Sequence, residues 1–527
     1  MIQPDLVLYN GVIHTLERTL PTATTAVAIA GEHILAVGDD RLQDELAPGG
    51  TAVDLRGRTV LPGLIDAHLH LVWYSLGLKN VDLQGVPTLD EALARIAARV
   101  AVTPPTNWIR GGRWNCNLWG GRFPTRYDLD RIAPEHPVFL PSKDGHSAWV
   151  NSRALQLAGV HVGTPDVEGG RILRDEHGEP TGILQENAID LVRRAMPEPS
   201  AEEMADACRM GMFNAHRVGL TGVHNCEGAR EFAALQLLEQ RGELTLRVLQ
   251  HIAAENLDAA IAVGLRDGFG NQWLRLYGVK AFADGALGSR SAWMLEPYET
   301  DPHNRGVPTM TPEAARELIR RANGAGLSVA IHAIGDAANR TVLDALEQVG
   351  DRRLRNRIEH VQLLHPADLR RLAELKVVAS MQPIHATSDI EIADLHWGRR
   401  AATGYAWRSL LDAGTVLTFG SDAPVEDLSP LAGIYAAVTR RRPDGFPGPE
   451  GWYPEQRISA YEAVYAYTMG AAYAGGEERI KGSLAPGKLA DLIVLERDIL
   501  RVDPELIPST RVVRTMVGGQ WVYVEEE

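Results

Sequence analysis

The sequence predicts an α/β protein: a (β/α)8 TIM-like barrel, a small β-sandwich built from both chain ends, and an inserted subdomain. Two observations predict this fold class. Through the middle of the chain, eight short runs rich in β-branched residues alternate with helical patterns, which is typical of parallel strands. Both ends of the chain instead carry short strand patterns joined by tight turns. A doubly wound open sheet has the same periodicity and stays open as an alternative.

The chain ends alternate apolar and polar residues over strand-length segments. Asn10–Gly11 follows the first of these segments and is a hairpin turn signal. The same alternation recurs near the other end, at residues 490–495, 512–517 and 521–524. We predict one β-sandwich domain from residues 1–60 and 480–527, with the barrel in residues 61–479.

Each candidate strand of the barrel is an apolar run of strand length. The eight runs are residues 60–65, 219–224, 246–251, 274–282, 327–332, 357–360, 377–381 and 416–419. Helical patterns lie between most of them, for example at residues 312–325, 337–349 and 366–375. Eight such units favour a closed barrel, which builds its active site at the C-terminal ends of its strands.

Two insertions interrupt the alternation of strands and helices. About 150 residues separate the first two candidate strands, which is too long for a loop and predicts a subdomain over about 71–218. The second insertion, residues 285–308, is rich in turn-forming and polar residues and follows the fourth strand. We predict that it is a lid or a substrate loop.

Composition excludes several classes of protein. The 527 residues carry a formal net charge of −15, which argues against a nucleic-acid-binding surface. No run of 18 apolar residues and no signal peptide pattern occurs, so we expect no membrane span and a cytoplasmic location. The three cysteines, Cys116, Cys208 and Cys226, form no CxxC pair, and buried thiols in a reducing compartment are the simplest interpretation.

The sharpest local signal is a pair of histidines in the segment LPGLIDAHLH. His68 and His70 stand two residues apart on an extended segment, so their rings lie on the same side. Neutral imidazoles directed at one point suit a metal such as zinc, and Asp66 is placed to orient one of them. An HxH pair alone is a weak signal, but this pair lies at the end of the first barrel strand.

Polar residues also stand at the ends of four other strands. Lys280 interrupts an apolar run, and burial would lower its pKa. An uncharged amine can react with CO2 to give a carbamate, which bridges two metal ions. An ion pair between Lys280 and Asp284 is the alternative. His332, His360 and Asp422 end or follow later strands, and a carboxylate there can bind metal and take a proton from water. Together with His68 and His70, these positions indicate a metal site.

These motifs resemble the amidohydrolase superfamily, and more narrowly its YtcJ-like branch (amidohydrolase family 3), which includes N-substituted formamide deformylases. The matching segments are LPGLIDAHLH, PVFLPSKDGHSAWVNSRAL, TGILQENA, GVKAFADGALGSRSA, AIHAIGD, RIEH, FGSDAP and GSLAPGKLADLIVL. They cover nearly the whole chain. One departure is Lys143, which stands where the branch is expected to have arginine, and it bears on substrate contacts.

The resemblance implies a set of metal ligands: His68, His70, Lys280, His332, His360 and Asp422. It also implies a divalent metal, with Zn2+ the first expectation and one or two ions per chain. Two alternatives stay open: a carboxylated Lys280 that bridges two metals, and an unmodified Lys280 beside one metal. Asp422 is expected to be the catalytic residue.

The activity that the resemblance implies is hydrolysis of a C–N bond, other than a peptide bond, in a small molecule. An N-substituted formamide or an N-acyl compound is the expected substrate. Deamination of a ring or an amidine is the first alternative, and the lack of a glutamate near His332 counts against it. A non-catalytic binding or regulatory protein on the same scaffold is the second.

Substrate contacts are the softest predictions. The residues expected to make them are Trp114, His146, Asp284, Arg290 and Gln382. Three further histidines lie at or near strand ends and are weaker candidates: His224, His251 and His385. The expected partner is a small-molecule substrate, with no nucleic acid and no membrane, and a homodimer is the commonest assembly for a soluble enzyme.

Overall fold

The computed structural model describes residues 2–17, 20, 24–143 and 145–526. The chain forms two compact units. One unit contains residues 1–74 and 208–527, and the other contains residues 75–207.

Eight parallel strands form one sheet in chain order within the first unit. They are β1 (Leu64–Leu69), β2 (Leu220–Asn225), β3 (Arg247–Ala253), β4 (Leu274–Phe282), β5 (Val329–Ala333), β6 (Arg357–His360), β7 (Val378–Met381) and β8 (Leu417–Phe419). All neighbouring pairs are parallel and in sequence order, as the successive βα units of a barrel require. The predicted barrel class is therefore confirmed.

The barrel closes at the C-terminal ends of β1 and β8. The backbone N–H of Asp422 donates to the carbonyl of His68 (2.7 Å), and the N–H of His70 donates to the carbonyl of Ala423 (2.9 Å). We refer to residues 66–70 and 420–423 as the seam. Three predicted metal ligands, His68, His70 and Asp422, and Ala423 thus supply the main-chain groups that join the first strand to the last.

Asp66 reinforces the seam. Its buried carboxylate accepts hydrogen bonds from the backbone N–H of Ser421 (3.0 Å) and from the Ser421 hydroxyl (2.5 Å). Gly420 permits this close approach, because a Cβ there would lie 2.5 Å from the backbone nitrogen of His68. Asp66 therefore holds the backbone of β1 against the segment after β8, and its 3.0 Å hydrogen bond from the His68 N–H also fixes the position of a predicted ligand.

Helices follow most of the strands. The longer ones are Ala201–Arg217, Ala229–Gln240, Pro312–Gly324, Asp336–Val349, Ile390–Trp397 and Pro430–Thr439. The shorter ones are Leu71–Gly77, Leu257–Ala262, Arg371–Leu375, Pro383–Ser388, Trp407–Asp412, Ala460–Tyr465 and Ala471–Ala474. Capping residues mark where such helices begin. At the start of helix Pro312–Gly324, the Thr311 hydroxyl accepts a hydrogen bond from the N–H of Ala314, and a proline occupies the first turn. Within the described residues, no helix combines the length and the apolar character that crossing a membrane requires.

The chain ends build two packed β-sheets, as predicted. One sheet has the order His33–Gly38, Ala26–Ala30, Leu6–Tyr9 and Thr51–Asp54. The other has the order Val12–Ile13, Thr59–Pro62, Leu492–Leu495, Val512–Val517 and Gln520–Val524. Apolar side chains of both sheets share one core, to which the N-terminal part contributes Leu8 and Val27 and the C-terminal part contributes Leu492 and Met516.

The predicted first barrel strand, residues 60–65, is wrong in its bounds. The run divides at Gly63: Thr59–Pro62 belongs to the β-sandwich and β1 begins at Leu64. A Cβ at residue 63 would lie 2.2 Å from the hydroxyl oxygen of Thr221, so the chain passes too close to β2 for a side chain. A continuous apolar run therefore serves two different sheets.

Asn10–Gly11 does not close a hairpin. Leu6–Tyr9 lies in the four-stranded sheet, whereas Val12–Ile13 lies in the five-stranded sheet. Asn10 has a φ of 57°, a left-handed conformation that asparagine tolerates better than most residues. The dipeptide turns the chain from one sheet of the sandwich to the other.

The unit of residues 75–207 accounts for the long insertion. Its six-stranded sheet has the order Gly170–Arg174, Pro180–Glu186, Ser147–Val150, Val138–Pro141, Ile109–Gly112 and Val81–Asp82. Its helices are Leu89–Ala101, Arg126–Asp130, Ser152–Leu157 and Ile189–Arg193. Two apolar clusters, one around Trp114 and Trp149 and one around Phe139 and Leu184, give the unit its own core.

Candidate metal centre

The C-terminal ends of the barrel strands surround a cavity of about 330 Å³. All six residues predicted to bind metal line it: His68, His70, Lys280, His332, His360 and Asp422. Their positions are at the ends of β1, β4, β5 and β6 and just after β8. Residues that are remote in the sequence meet here because parallel strands of a barrel share one rim.

Asp422 lies at the centre of the group. Its Oδ1 is 3.4 Å from Nε2 of His68 and 3.2 Å from Nε2 of His70, and its Oδ2 is 3.2 Å from Nε2 of His385. Burial alone would raise the pKa of Asp422, but the neighbouring histidines, His68 first, hold it well below its ordinary value. Asp422 is therefore an anion at neutral pH and can share its two oxygens between neighbouring groups.

Two sets of ligand atoms come within 4.8 Å of one another around this carboxylate. The first set is His68, His70 and Asp422; the second is His360, His385 and Asp422. The second set brings in His385, which was a weak candidate from sequence. His332 lies nearby, with its ring centroid 4.5 Å from that of His360.

Three of the imidazoles are each held by one ring nitrogen. The pairs are Nδ1 of His68 with Oε2 of Glu359 (2.5 Å), Nδ1 of His360 with Oε1 of Gln382 (2.8 Å), and Nε2 of His332 with the carbonyl of Gly285 (3.0 Å). An oxygen at one ring nitrogen places the N–H there and leaves the other nitrogen for a metal. This is the arrangement that metal-binding histidines ordinarily have.

Burial acts strongly on the charged forms of these groups. Burial, together with the charge of Lys280, lowers the pKa of His332 to about 3. Burial, and then the neighbouring His332, lowers the pKa of His360 well below its ordinary value. Burial also lowers the pKa of Lys280. His68 differs: burial opposes its charge, but Cys226, then Glu359 and Asp422, raise its pKa well above the ordinary value.

Lys280 is the most unusual member of the group. Its side chain is 4% exposed, and its Nζ is buried without a hydrogen-bond partner among the described residues, 3.9 Å from the ring centroid of Phe282. The described ion pairs do not include one between Lys280 and Asp284. A buried, unpartnered amine beside several imidazoles and a carboxylate is a nitrogen and oxygen donor set that fits a divalent metal.

Two predicted ligands adopt left-handed backbone conformations. His360 has a φ of 72°, followed by Val361 at 47°, and Asp422 has a φ of 59°. Successive residues of a regular strand point to opposite sides, so Glu359 and His360 would face apart without this change. The left-handed residues redirect the side chains toward the cavity, and such conformations typically cost about 1–3 kcal/mol each.

A buried polar network lies behind the predicted metal ligands. Arg357 forms an ion pair with Glu359 on the same strand and donates hydrogen bonds to Nδ1 of His224 and Nε2 of His251, both at 2.8 Å. Burial alone would raise the pKa of Glu359, but Arg357 and then His68 hold it well below its ordinary value. His224 and His251 therefore belong to the barrel interior and are absent from the residues that line the cavity.

Sequence reasoning assigned no role to Glu359 or Arg357, although the segment RIEH contains a detectable signal. Two charged residues that alternate on one strand must share a face, and in a barrel strand the inward face has to satisfy them. Both side chains are at most 1% exposed. The charges of RIEH were therefore a signal from which an internal ion pair could have been predicted, although none was.

The predicted substrate contacts in the barrel unit are absent from the residues that line the cavity. Gln382 lies behind His360, which donates to its Oε1. Asp284 accepts hydrogen bonds from the backbone N–H groups of Trp293, Ile334 and Gly335 at 2.8–3.0 Å, and burial raises its pKa to about 7. Asp284 thus organises the loop that begins at residue 285.

Arg290 is exposed and lies in that same loop, with a φ of 54°. It does not line the cavity, although the loop itself does through Ala286, Leu287 and Gly288. The predicted lid segment, residues 285–308, therefore supplies apolar wall to the site through its first residues rather than through its arginine.

Trp114 and His146 lie in the unit of residues 75–207. Both line a cavity of about 480 Å³ within that unit. The indole N–H of Trp114 donates to the carbonyl of Leu140 (2.7 Å), and Nδ1 of His146 lies 3.0 Å from Oε1 of Glu186. Lys143, the departure from the expected arginine, lines the same cavity.

A closed barrel that gathers imidazoles, a buried lysine and a carboxylate at its strand ends defines the class of metal-dependent hydrolases. A model of the amidohydrolase family matches residues 51–523. The chain belongs to the amidohydrolase family, and the family implies a divalent metal.

Three relatives are similar over most of the chain. Protein LONG AFTER FAR-RED 3 of Arabidopsis thaliana is 37% identical over 99% of this chain and 92% of its own length. The putative amidohydrolase YtcJ of Bacillus subtilis is 33% identical over 95% of this chain and 96% of its own length. An N-substituted formamide deformylase of Arthrobacter pascens is 31% identical over 98% of this chain and 97% of its own length. The resemblance to the YtcJ-like branch is thereby confirmed.

A solved structure supports the fold independently. An uncharacterized metal-dependent hydrolase from Pyrococcus furiosus superimposes with a TM-score of 0.79 and 32% identity, covering 94% of this chain and all of that one.

Proposed function

We propose that this protein hydrolyses an amide-type C–N bond of a small molecule, with an N-substituted formamide or an N-acyl compound as the substrate class. The observation that carries the proposal is the arrangement of three imidazoles, each held by one ring nitrogen, beside the anionic Asp422. The similarity to an N-substituted formamide deformylase supports the substrate class.

The predicted ligands would hold two metal ions in this proposal. His68, His70 and Asp422 would hold one ion, and His332 and His360 would hold a second, with Lys280 between them if it carries a carboxylate. Zinc is the first candidate because the donors are imidazole nitrogens and carboxylate oxygens. When bound, a divalent metal supplies a Lewis acid that polarises a carbonyl oxygen and lowers the pKa of water.

Asp422 is the residue suited to move the proton. Hydrolysis of an amide needs a base to take a proton from the attacking water and an acid to return it to the leaving nitrogen. Oδ1 of Asp422 faces the two histidines of β1, whereas Oδ2 is held 3.2 Å from His385. One carboxylate fixed in this way can serve both steps without moving away from the cleaved bond.

The size of the cavity favours a small substrate. About 330 Å³ corresponds to the lower end of ordinary small-molecule sites. Phe282, Leu287 and Val425 give part of the wall an apolar character. An alkyl or aryl group on the nitrogen or on the acyl side of the amide is compatible with this lining.

A substrate panel on the metal-loaded protein tests the proposal. The panel contains N-substituted formamides, N-acyl amines, esters and cyclic amidines, and the products are assayed as formate or free acid, amine and ammonia. We expect acid and amine in equal amounts, lost on chelation and restored by Zn2+. Ammonia release from the amidines alone would show a deaminase, and metal binding without turnover of any compound would show a binding protein.

A further inference from the structure

The cavity wall outside the predicted metal ligands is acidic. Sixteen residues line the cavity, and ten of them are not predicted ligands. Six of the ten are apolar or glycine, one is the amide Gln362 and one is His385; the remaining two are the carboxylates Asp389 and Glu426. The lining contains no arginine and no hydroxyl group among the described residues, and its one lysine is Lys280.

Asp389 is held in place by a buried tyrosine. Its Oδ2 accepts a hydrogen bond of 2.5 Å from the hydroxyl of Tyr405, which is 1% exposed. The hydrogen bonds and ion pairs of the described residues occupy only this oxygen, so Oδ1 remains for another donor. A carboxylate that lines a cavity and keeps one oxygen without a partner among the described residues is a suitable acceptor for a ligand N–H.

Glu426 follows the seam and lines the cavity near His385. Its Oε1 lies 3.6 Å from Nδ1 of His385, a loose pair, while Nε2 of the same ring is 3.2 Å from Asp422. Oε2 of Glu426 makes no hydrogen bond or ion pair among the described residues. The single His385 ring thus lies between two carboxylates and cannot satisfy all four of their oxygens.

We propose that the substrate carries a cationic amine, or an equivalent group rich in N–H donors, on the part remote from the cleaved bond, and that Asp389 and Glu426 select it. This inference rests on the proposed amide hydrolysis and names its substrate class more closely. A carboxylate-bearing substrate would be placed beside two wall carboxylates with no arginine or hydroxyl to receive it, and the two ring nitrogens of His385 already lie against Asp422 and Glu426. Opposite charges attract and like charges repel more strongly in a partly buried site than in water.

Three formamides of matched length separate these substrate classes. They differ only in the group at the far end: N-(3-aminopropyl)formamide carries an ammonium, N-butylformamide a methyl group, and 4-formamidobutanoate a carboxylate. With the metal-loaded protein, we expect kcat/KM to be about tenfold or more higher for the ammonium than for the carboxylate, and intermediate for the neutral compound. A carboxylate substrate equal to or better than the ammonium would overturn the inference.

Charge-removing variants assign the selection to residues. Glu426→Gln and Asp389→Asn should each lower the ammonium-to-carboxylate ratio of kcat/KM several-fold. Asp427→Asn is the matched control, because Asp427 is exposed, adjacent to Glu426 and absent from the lining, and it should leave the ratio unchanged. If the wall carboxylates serve only to orient His385 and Tyr405, kcat/KM falls by the same factor for all three substrates. The ammonium-to-carboxylate ratio then stays constant, which overturns the inference.

A binding measurement keeps this inference separate from the proposed hydrolysis. Calorimetry compares propane-1,3-diamine with 4-aminobutanoate on the metal-loaded and the chelated protein. We expect the diamine to bind about tenfold or more tightly than the amino acid in the chelated protein, and Glu426→Gln to remove that difference. Absence of turnover with this binding preference intact would reject the hydrolysis alone, and turnover without the preference would reject the charge selection alone.

Discussion

Oε2 of Glu359 lies 2.5 Å from Nδ1 of His68, and both side chains are almost completely buried. The contact directs the other ring nitrogen of His68 toward Asp422, 3.4 Å away. Because the second oxygen of Glu359 pairs with Arg357, one carboxylate links the interior of the barrel to the metal centre.

Removing the Glu359 charge should weaken metal binding. Glu359→Gln loses the charged acceptor that holds the His68 ring, and changes of this kind typically lower metal affinity by about 10–100-fold. Competition with a chromophoric chelator measures the affinity. Glu374→Gln, an exposed glutamate in helix Arg371–Leu375, is the control and should bind metal as the wild type does. Equal affinity in both variants would contradict the assigned role.

The Arg357–Glu359 pair should be strongly coupled in stability. Arg357→Met leaves a buried carboxylate without its cation and should lower the free energy of unfolding by about 3–5 kcal/mol. The double variant Arg357→Met/Glu359→Gln should lose less than the sum of the single losses, because neither charge is then left alone. Urea denaturation of the chelated protein measures all four members of the cycle. Strict additivity would show that the two charges are independent.

Asp422→Asn should separate turnover from metal binding. Asparagine keeps an oxygen ligand but cannot carry the proton, so kcat should fall by about 10²–10⁴-fold while metal content stays near that of the wild type. Steady-state kinetics and elemental analysis of the same preparation provide both quantities. Near-normal turnover would exclude Asp422 as the proton-transferring residue.

The state of Lys280 should determine the number of metal ions. If its buried amine forms a carbamate, the wild type reconstituted with bicarbonate should bind about two ions per chain, and without bicarbonate about one. Lys280→Ala should bind about one ion in both conditions. Elemental analysis after gel filtration measures the number of metal ions per chain. A wild-type ratio that is independent of bicarbonate would support the unmodified lysine beside a single metal.

His216 should make the fold sensitive to acid. Its ring is 2% exposed, with Nδ1 3.0 Å from the carbonyl of Leu220 and Nε2 3.0 Å from the hydroxyl of Thr245, and burial lowers its pKa to about 4. The unfolded chain takes up a proton below about pH 6.5, whereas the folded chain does not until about pH 4. The free energy of unfolding therefore decreases by about 2–3 kcal/mol as the pH falls from 6.5 toward 4.

The matched variant is His216→Gln. Its free energy of unfolding should fall less than that of the wild type between pH 7 and pH 4.5, whatever the difference between the two proteins at pH 7. Identical pH slopes for the two proteins would show that His216 does not cause the acid sensitivity.

Much of the barrel was predictable because its signals are local. Apolar runs such as residues 274–282 coincide with β4, and the ligands gather because parallel strands end at one rim. The exception at residues 60–65 arose because Gly63 divides one apolar run between two sheets. Periodicity cannot detect such a break, since the reason for it is a contact with Thr221 more than 150 positions away.

The residues that surround the predicted metal ligands were less predictable from the sequence. Asp389 and Glu426 reach the cavity from segments after β7 and after the seam, where no strand pattern sets their direction. Gln382 and Asp284 are polar residues at strand ends, as a substrate contact would be, yet their hydrogen bonds go to a ligand and to backbone groups. Which way a polar side chain turns at a strand end depends on the competing partners around it, and those are known only in three dimensions.

The seam has a consequence for how the protein acquires its metal. Asp66 and Ser421 are 355 residues apart in the chain, and pairings between such distant residues are among the slowest to form. The predicted ligands His68 and His70 meet Asp422 only after nearly the whole barrel has been synthesised. We therefore expect the predicted metal site to assemble late in folding, and a truncated or incompletely folded chain not to assemble it.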